Sequence, residues 1–353
     1  MVFIPVFLLV QTVHWVCLLL DDLLFPAYRR AEVEAPLFVV GIPRSGTTFL
    51  HRVLARDPRF TTPRLWELVL APSIVQRKAV RMLGRIDGWV GRPLGRLVRR
   101  MEGRLFRALD DVHPVTLDAP EEDYFALLPA FACFLLVLPF PGHPAVWELA
   151  RFDELPEATR RRVMAFYRSI LQRHVFVHGQ RTVLSKNPSF SPMIRSLRQE
   201  FPDARFVFCV RDPLEAVPSL ISSLRGGAAF FGWDPTAAEH TDRFLEMLRY
   251  YTEHALDTLP GWPAEVRAFV PMAELTEDVR RGVVALYERF GWTPTAGFRA
   301  ALAEEHERSR RYTSGHRYAL EEVGLTAGEI RARLHRMIRH FDYGAPEPEA
   351  VGG

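Results

Sequence analysis

Three cations, Arg44, Lys186 and Arg211, each follow a short apolar run, and each has hydroxyl-bearing residues near it in sequence. Gathered in space, such a set would grip the oxygens of phosphate or sulfate groups. The first lies in "VVGIPRSGTTFLHRVL", residues 39–54. An apolar run from Pro36 to Val40 leads into Gly41, and a segment of helical spacing follows Gly46. A turn between strand and helix presents backbone N–H groups to an anion. Gly41 and Gly46 allow the tight path, Arg44 adds charge, and Ser45, Thr47 and Thr48 add hydroxyl donors. The spacing is that of G-x-x-x-x-G-K-[ST], yet Thr47 holds the lysine position and the cation comes three residues earlier. A nucleoside triphosphate, with its Mg²⁺, calls on that lysine. A ligand with one phosphate and a terminal sulfuryl group carries less charge there. Backbone donors, one cation and no metal suffice for it.

The second cation opens a second anion site. In "RFVFCVRDPLEAVPSLISSL", Arg211 comes just after a strand and Ser219 lies eight residues on, within the next helix. Both belong at the strand's carboxyl end, where open α/β sheets bind ligands. A nucleoside with phosphate groups at both ends would fill both sites. The plain alternative for Arg211 is an exposed ion pair with Asp212 or Glu215. Lys186, in "LSKNP", also follows a strand-like run. It and Lys78 are the chain's two lysines against an arginine background, and a guanidinium does not replace a compact ammonium.

The elements that must position these groups alternate. Strands are expected at 37–41, 182–186 and 205–210, with a weaker one within 265–275. Helices are expected at 46–56, 190–201 and 214–224, the last ended by Gly226-Gly227. This pattern predicts an α/β fold: a P-loop-like three-layer α/β/α arrangement with a central parallel sheet and helical insertions. The expected organisation is an apolar N-terminal helix within 1–35, one domain over 36–345 with a helical insertion at about 68–180, and a disordered tail at 346–353.

"PRSGTT" after one strand and "RDP…S" after another together resemble the sulfotransferases that use 3′-phosphoadenosine 5′-phosphosulfate. The stretch "LSKNPSFSPMIRSLRQEFPDARFVFCVRDPLEAVPSLIS" is similar to the matching region of tyrosylprotein sulfotransferases and their bacterial relatives, and "HRYALEEVGLTAGEI" resembles the C-terminal segment of bacterial members. The resemblance covers roughly residues 36–345. It implies that the loop at Arg44–Thr48 binds the 5′-phosphosulfate and that Arg211 and Ser219 bind the 3′-phosphate. It also implies that Lys186 steadies the sulfuryl group, with Arg44 as a second cation. Arg317 is a looser candidate for the 3′-phosphate or the adenine.

Transfer to an alcohol or phenol also needs a base for the acceptor's proton. Glu67, in "PRLWELVLAP", matches by position the glutamate that serves in tyrosylprotein sulfotransferases. Glu122 and Glu121 compete, because they head an apolar segment where burial raises a carboxylate's pKa; a helix N-terminal cap explains them equally well. His51 and His113 sit in no matching motif.

Composition sets the remaining bounds. A net charge of +3 on 353 residues argues for no nucleic-acid partner. Cys17, Cys133 and Cys209 lie in apolar runs and read as core side chains, and no metal-ligand spacing occurs. The first twenty residues approach the length of a span, but Pro5, Gln11, Thr12 and His14 interrupt them. A helix docked on the domain or its surface and a true anchor both stay open, so the expected location is cytoplasmic, with membrane association through this helix as an option. Residues 76–107 read as one amphipathic basic helix over a packed stripe, with contact to anionic lipid as the alternative. The apolar run 125–141 reads as a buried helix pair or an acceptor pocket. The resemblance implies a hydroxylated acceptor, whether small molecule, lipid or glycan. Two rivals remain: a P-loop kinase using Asp212 for Mg²⁺, and a membrane-surface module with a vestigial nucleotide fold.

Overall fold

The computed structural model describes residues 3–105, 116–310 and 320–344. Arg317, His113 and the 346–353 tail lie outside the described residues.

Five parallel strands form the sheet, in the order β2-β3-β1-β4-β5. They are β1 (Leu37–Gly41), β2 (Phe60–Thr61), β3 (Thr182–Lys186), β4 (Arg205–Val210) and β5 (Arg267–Pro271). All five residues of β1 are buried, which is why its sequence is a continuous apolar run rather than an alternating one. Its neighbours in sequence face opposite layers. Phe38 and Val40 pack with Tyr167, Leu197 and Tyr251 on one side, and Leu37 and Val39 with Leu50, Tyr287 and Phe298 on the other. The fold is therefore a three-layer α/β/α sandwich. The chain leaves β1 towards β2 and β3 on one side, then crosses to β4 and β5 on the other. Such a reversal opens a crevice at the carboxyl end of β1.

The helices between β2 and β3 form the insertion. It holds Leu65–Val69, Ile74–Trp89, Pro93–Leu105, the two short 3₁₀ segments Asp123–Ala130 and Phe134–Val137, and the long Glu157–His178 helix. The apolar run 125–141 thus becomes a 3₁₀ pair, with Pro129 inside the first segment. Two expectations need correction. The helix after β4 runs from Pro213 to Phe231, past Gly226-Gly227, and stops at Gly232 with φ of 80°. A Cβ on Gly227 would come within 3.1 Å of the Leu138 side chain, so this glycine permits close packing rather than a stop. The described part of the 76–107 stretch forms two helices, Ile74–Trp89 and Pro93–Leu105, broken where Gly91 and Arg92 take φ of 82° and 61°. Their apolar side chains Leu94, Leu97 and Met101 are exposed rather than packed.

The N-terminal helix α1 (Phe3–Leu24) is long and apolar enough to cross a membrane. Its buried face, however, consists of Gln11, His14, Leu18 and Asp21. Asp21 accepts from the N–H groups of Ile74 and Val75 at 2.8 and 2.9 Å, which caps the Ile74–Trp89 helix. It also pairs with buried Arg173 at 2.9 Å. A charged residue inside an apolar run here fastens the helix to the domain.

Candidate active site

The turn after β1 is held by its own backbone demands. Gly41 has φ of 149°, and a Cβ there would lie 2.4 Å from the Cys209 carbonyl oxygen of β4. Gly46 has φ of 85°, and a Cβ there would overlap the Met272 sulfur. No other residue fits Gly41 without parting two strands. The buried Ser45 hydroxyl donates to the Ile42 carbonyl at 2.6 Å, so it braces the turn from inside. Thr47 and Thr48 open the next helix, Thr47–Leu54, and face a cavity.

That cavity measures about 350 Å³ and sits at the carboxyl ends of β1, β3 and β4. Arg44, Thr47, Thr48, Glu122, Ser189, Arg211 and Ser223 supply its polar lining. The loop and the Arg211 region, far apart in sequence, share this one crevice. They also touch: Arg44 Nε donates to Ser219 Oγ at 2.9 Å, and Arg211 donates to the Arg44 carbonyl at 3.4 Å. Arg211 additionally pairs with Glu215 at 2.8 Å, the ion pair its sequence neighbours suggest. Arg44, a non-glycine residue with φ of 69°, thus turns its guanidinium towards Ser219 rather than towards Lys186.

Lys186 ends β3 with its side chain only 1% exposed. Its ammonium donates to Thr48 Oγ1 at 3.2 Å, Glu122 at 2.9 Å and Glu121 at 3.4 Å. The amine is therefore fixed between the phosphate-type loop and two carboxylates. Behind it, Asp123 is fully buried and accepts from Ser185 at 3.0 Å and from Tyr167. Burial raises the Asp123 carboxyl to about 7, although both hydrogen bonds pull it down. Asp123 thus locks the 121–123 segment onto β3 and holds Glu121 and Glu122 at the amine.

Glu67 lies elsewhere. It is not among the cavity's lining residues. It accepts from the Arg64 N–H at 3.1 Å and meets His178 Nε2 at 2.6 Å. Burial alone would raise its carboxyl, but the His178 hydrogen bond and the Arg77 guanidinium outweigh this and bring it to about 2. Glu67, His174 and His178 gather three ligand-type atoms within 4.8 Å. The buried Arg77 guanidinium, donating towards His174 Nδ1 at 3.5 Å, already supplies positive charge there. The depressed pKa gives a signed expectation. Glu67 contributes stability above about pH 4.5, and that contribution fades as pH falls towards 2. Glu67→Gln should therefore lose up to about 3 kcal/mol at pH 7 and converge on the parent near pH 2, read by urea unfolding across pH. A penalty independent of pH would contradict this assignment.

His51 is buried against Thr62 at 2.8 Å, and burial next to Lys186 keeps its ring neutral. Asp212 uses one carboxylate oxygen to cap the following helix through the Leu214 N–H at 2.8 Å. The cavity also has walls that motif reading passed over: Tyr124, Met247 and Met272 beside the apolar Phe134–Leu138 stretch. The apolar run around 125–141 signalled the last of these; the two methionines come from distant helices and leave no local mark.

Comparison with known proteins fits this geometry. A profile described as "Sulfotransferase family" matches residues 36–295. Two curated relatives, omega-hydroxy-beta-dihydromenaquinone-9 sulfotransferase Stf3 of Mycobacterium bovis and of Mycobacterium tuberculosis, are each 30% identical over 191 residues. The match spans 53% of this chain but 45% of theirs, so the chain covers about half their length. Sulfotransferase STF9 from Mycobacterium avium superposes with a TM-score of 0.74 at 23% identity, covering 92% of this chain and 81% of its own. STF1 from Mycobacterium tuberculosis gives 0.69 at 20% identity, covering 89% and 80%. At those identities the two structures speak to fold alone.

Proposed function

The chain belongs to the sulfotransferase family, and from that premise we propose that it moves a sulfuryl group from 3′-phosphoadenosine 5′-phosphosulfate to the hydroxyl of a lipophilic acceptor. The carrying observation is the shared cavity, which residues of the Pro43–Thr48 turn, Glu122 and Arg211 line at one sheet edge, with the buried Lys186 amine held behind it by Thr48 and Glu122 and Ser219 reached through Arg44. In this reading the N–H groups and hydroxyls of Gly46–Thr48 hold the 5′-phosphosulfate. Arg211 and Ser219 take the 3′-phosphate, and Arg44 leaves Ser219 as that phosphate arrives. Lys186 bears on the sulfuryl oxygens and the bridging oxygen, where charge grows as the bond to the donor phosphate breaks. The acceptor oxygen forms the new S–O bond, and its proton passes to a carboxylate.

For that carboxylate we propose Glu122, with Glu121 beside it, in preference to Glu67. Glu122 lines the cavity and stands 2.9 Å from Lys186. The opposite wall, Phe134, Leu135, Val137, Leu138, Leu220 and Leu224, offers a hydroxyl-bearing apolar body a place to lie. The name of the Stf3 relatives, a hydroxylated menaquinone sulfotransferase, supports a lipid-like acceptor class.

Calorimetric titration with 3′-phosphoadenosine 5′-phosphate tests the nucleotide. Binding should need no Mg²⁺, and Arg211→Ala should weaken it by about ten- to a hundredfold, the value of a charge-assisted phosphate contact. Mg²⁺-dependent ATP binding, with no affinity for the bisphosphate, would instead favour a kinase.

A further inference from the structure

We propose that α1 and the two helices Ile74–Trp89 and Pro93–Leu105 form one docking face for an anionic lipid bilayer, on which the enzyme lies without spanning it. Three observations carry this.

The first is how α1 is attached. Contacts with the domain run its whole length. Phe3 packs on Phe231, Phe7 on Phe131, Trp15 donates to the Pro129 carbonyl, His14 meets Val69 O and Gln76, and Asp21 caps the next helix. A helix of 22 residues is roughly 33 Å long. One flanked by a folded domain over that whole distance is not surrounded by acyl chains. Gln11, His14 and Asp21 face inward, Thr12 is the exposed polar exception, and most of its leucines and valines face out: Leu9, Val16, Leu19 and Leu23 are all exposed, Leu23 by 75%. This inverts the pattern of a solvated helix and matches one lying in an interface with its apolar side in lipid.

The second is the adjoining pair of helices, which α1 meets at the Asp21 cap. Trp89 is 86% exposed, with Val90, Leu94, Leu97 and Met101 exposed beside it. Indole rings favour the headgroup level.

The third is charge. Lys78, Arg81, Arg85, Arg92, Arg96, Arg99 and Arg100 occupy this stretch. The two helices carry two acids, Asp87 and Glu102, and Asp87 has both carboxylate oxygens engaged by the N–H groups of Leu94 and Gly95, at 2.7 and 2.9 Å. Arg85, Arg92 and Arg96 have no acidic partner within 4 Å among the described residues. Exposed apolar groups ringed by unpaired arginines complement a surface that is greasy and anionic at once. A second copy of the chain would bring the same charges together.

The placement also bears on the proposed activity, though it does not depend on it. Phe134, Val137 and Leu138 belong both to the cavity wall and to the cluster that Phe7 of α1 packs against. These residues connect the domain-facing side of α1 with the acceptor wall.

Flotation of the full-length chain with vesicles of phosphatidylcholine alone, or with about a third phosphatidylglycerol, tests the face. The protein should float with the anionic vesicles and be released in large part, though not wholly, at high salt. The exposed triple variant Arg85→Glu/Arg92→Glu/Arg96→Glu should bind at least tenfold more weakly at unchanged thermal stability. Leu19→Ser/Leu23→Ser should lose what salt does not release. Nucleotide binding, measured in parallel, should survive in every variant, so loss of docking is separable from loss of the active-site reading. Any of three results would overturn the proposal: protein that stays at the bottom of the gradient with anionic vesicles, a dimer in sedimentation that the Leu19/Leu23 variant dissolves, or bound protein that resists both alkaline carbonate and the triple substitution, as a spanning anchor does.

Discussion

Lys186→Met is expected to lower the turnover of sulfuryl transfer by about a hundred- to a thousandfold, the usual cost of removing one fixed donor from a site of developing charge. The bisphosphate product lacks the sulfuryl group, so its affinity should fall by less than about tenfold. That split is informative because Lys186 is anchored from three sides, by Thr48, Glu121 and Glu122. Its loss leaves two carboxylates facing each other without their cation, and a stability penalty of about 3 kcal/mol accompanies it. Kinetics must therefore be run well below the variant's unfolding midpoint. Lys186→Arg should not rescue, since a planar fork does not fit a pocket built around an ammonium that is 1% exposed. Equal losses in turnover and in bisphosphate affinity would move Lys186 from the transferring group to the nucleotide's binding frame.

Glu122→Gln is the second large effect, expected at about a hundred- to ten-thousandfold in kcat for an acceptor alcohol. The isosteric amide keeps the hydrogen bond to Lys186 but takes no proton. Two controls give the result its meaning. Glu67→Gln, in its separate histidine-lined cluster, should keep kcat within about tenfold of the parent while carrying the pH-dependent stability loss described above. The acidic limb of the pH–rate profile should persist in Glu67→Gln and vanish in Glu122→Gln. If the limb instead disappears only in Glu67→Gln, the base belongs to Glu67, as its sequence position first implied. If Glu122→Gln is silent and Glu121→Gln is not, the neighbouring carboxylate has the role.

The difference between those two glutamates shows where sequence reading stops. The strands 37–41 and 205–210 are legible because each is a buried run whose identity is decided within a few residues. The turn is legible for the same reason: Gly41 and Gly46 report local backbone demands. Glu67 and Glu122 carry no such local mark. Their roles depend on partners far along the chain, His178 for one and Lys186 for the other. Arg44 meeting Ser219 is likewise a contact across 175 positions. The two clusters were expected at opposite ends of a nucleotide, yet these side chains touch, because β1 and β4 are adjacent strands. The helix at 213–231 ran past its glycine pair for a related reason: Gly227 answers to Leu138, a packing partner no local window contains. In α1 the signal was present in the polar spacing 11, 14 and 21, which lies on one face. It reads as an interruption of a span until Asp21 is seen to cap another helix.

The most direct test of the account is a crystal structure with 3′-phosphoadenosine 5′-phosphate bound. The expected density is a single nucleotide in the cavity, with its 5′-phosphate against the N–H groups of Gly46–Thr48 and its 3′-phosphate on Arg211 and Ser219, Arg44 having moved off Ser219. Density for the bisphosphate on another face, with the Arg44–Ser219 contact intact and the cavity free of nucleotide, would contradict it.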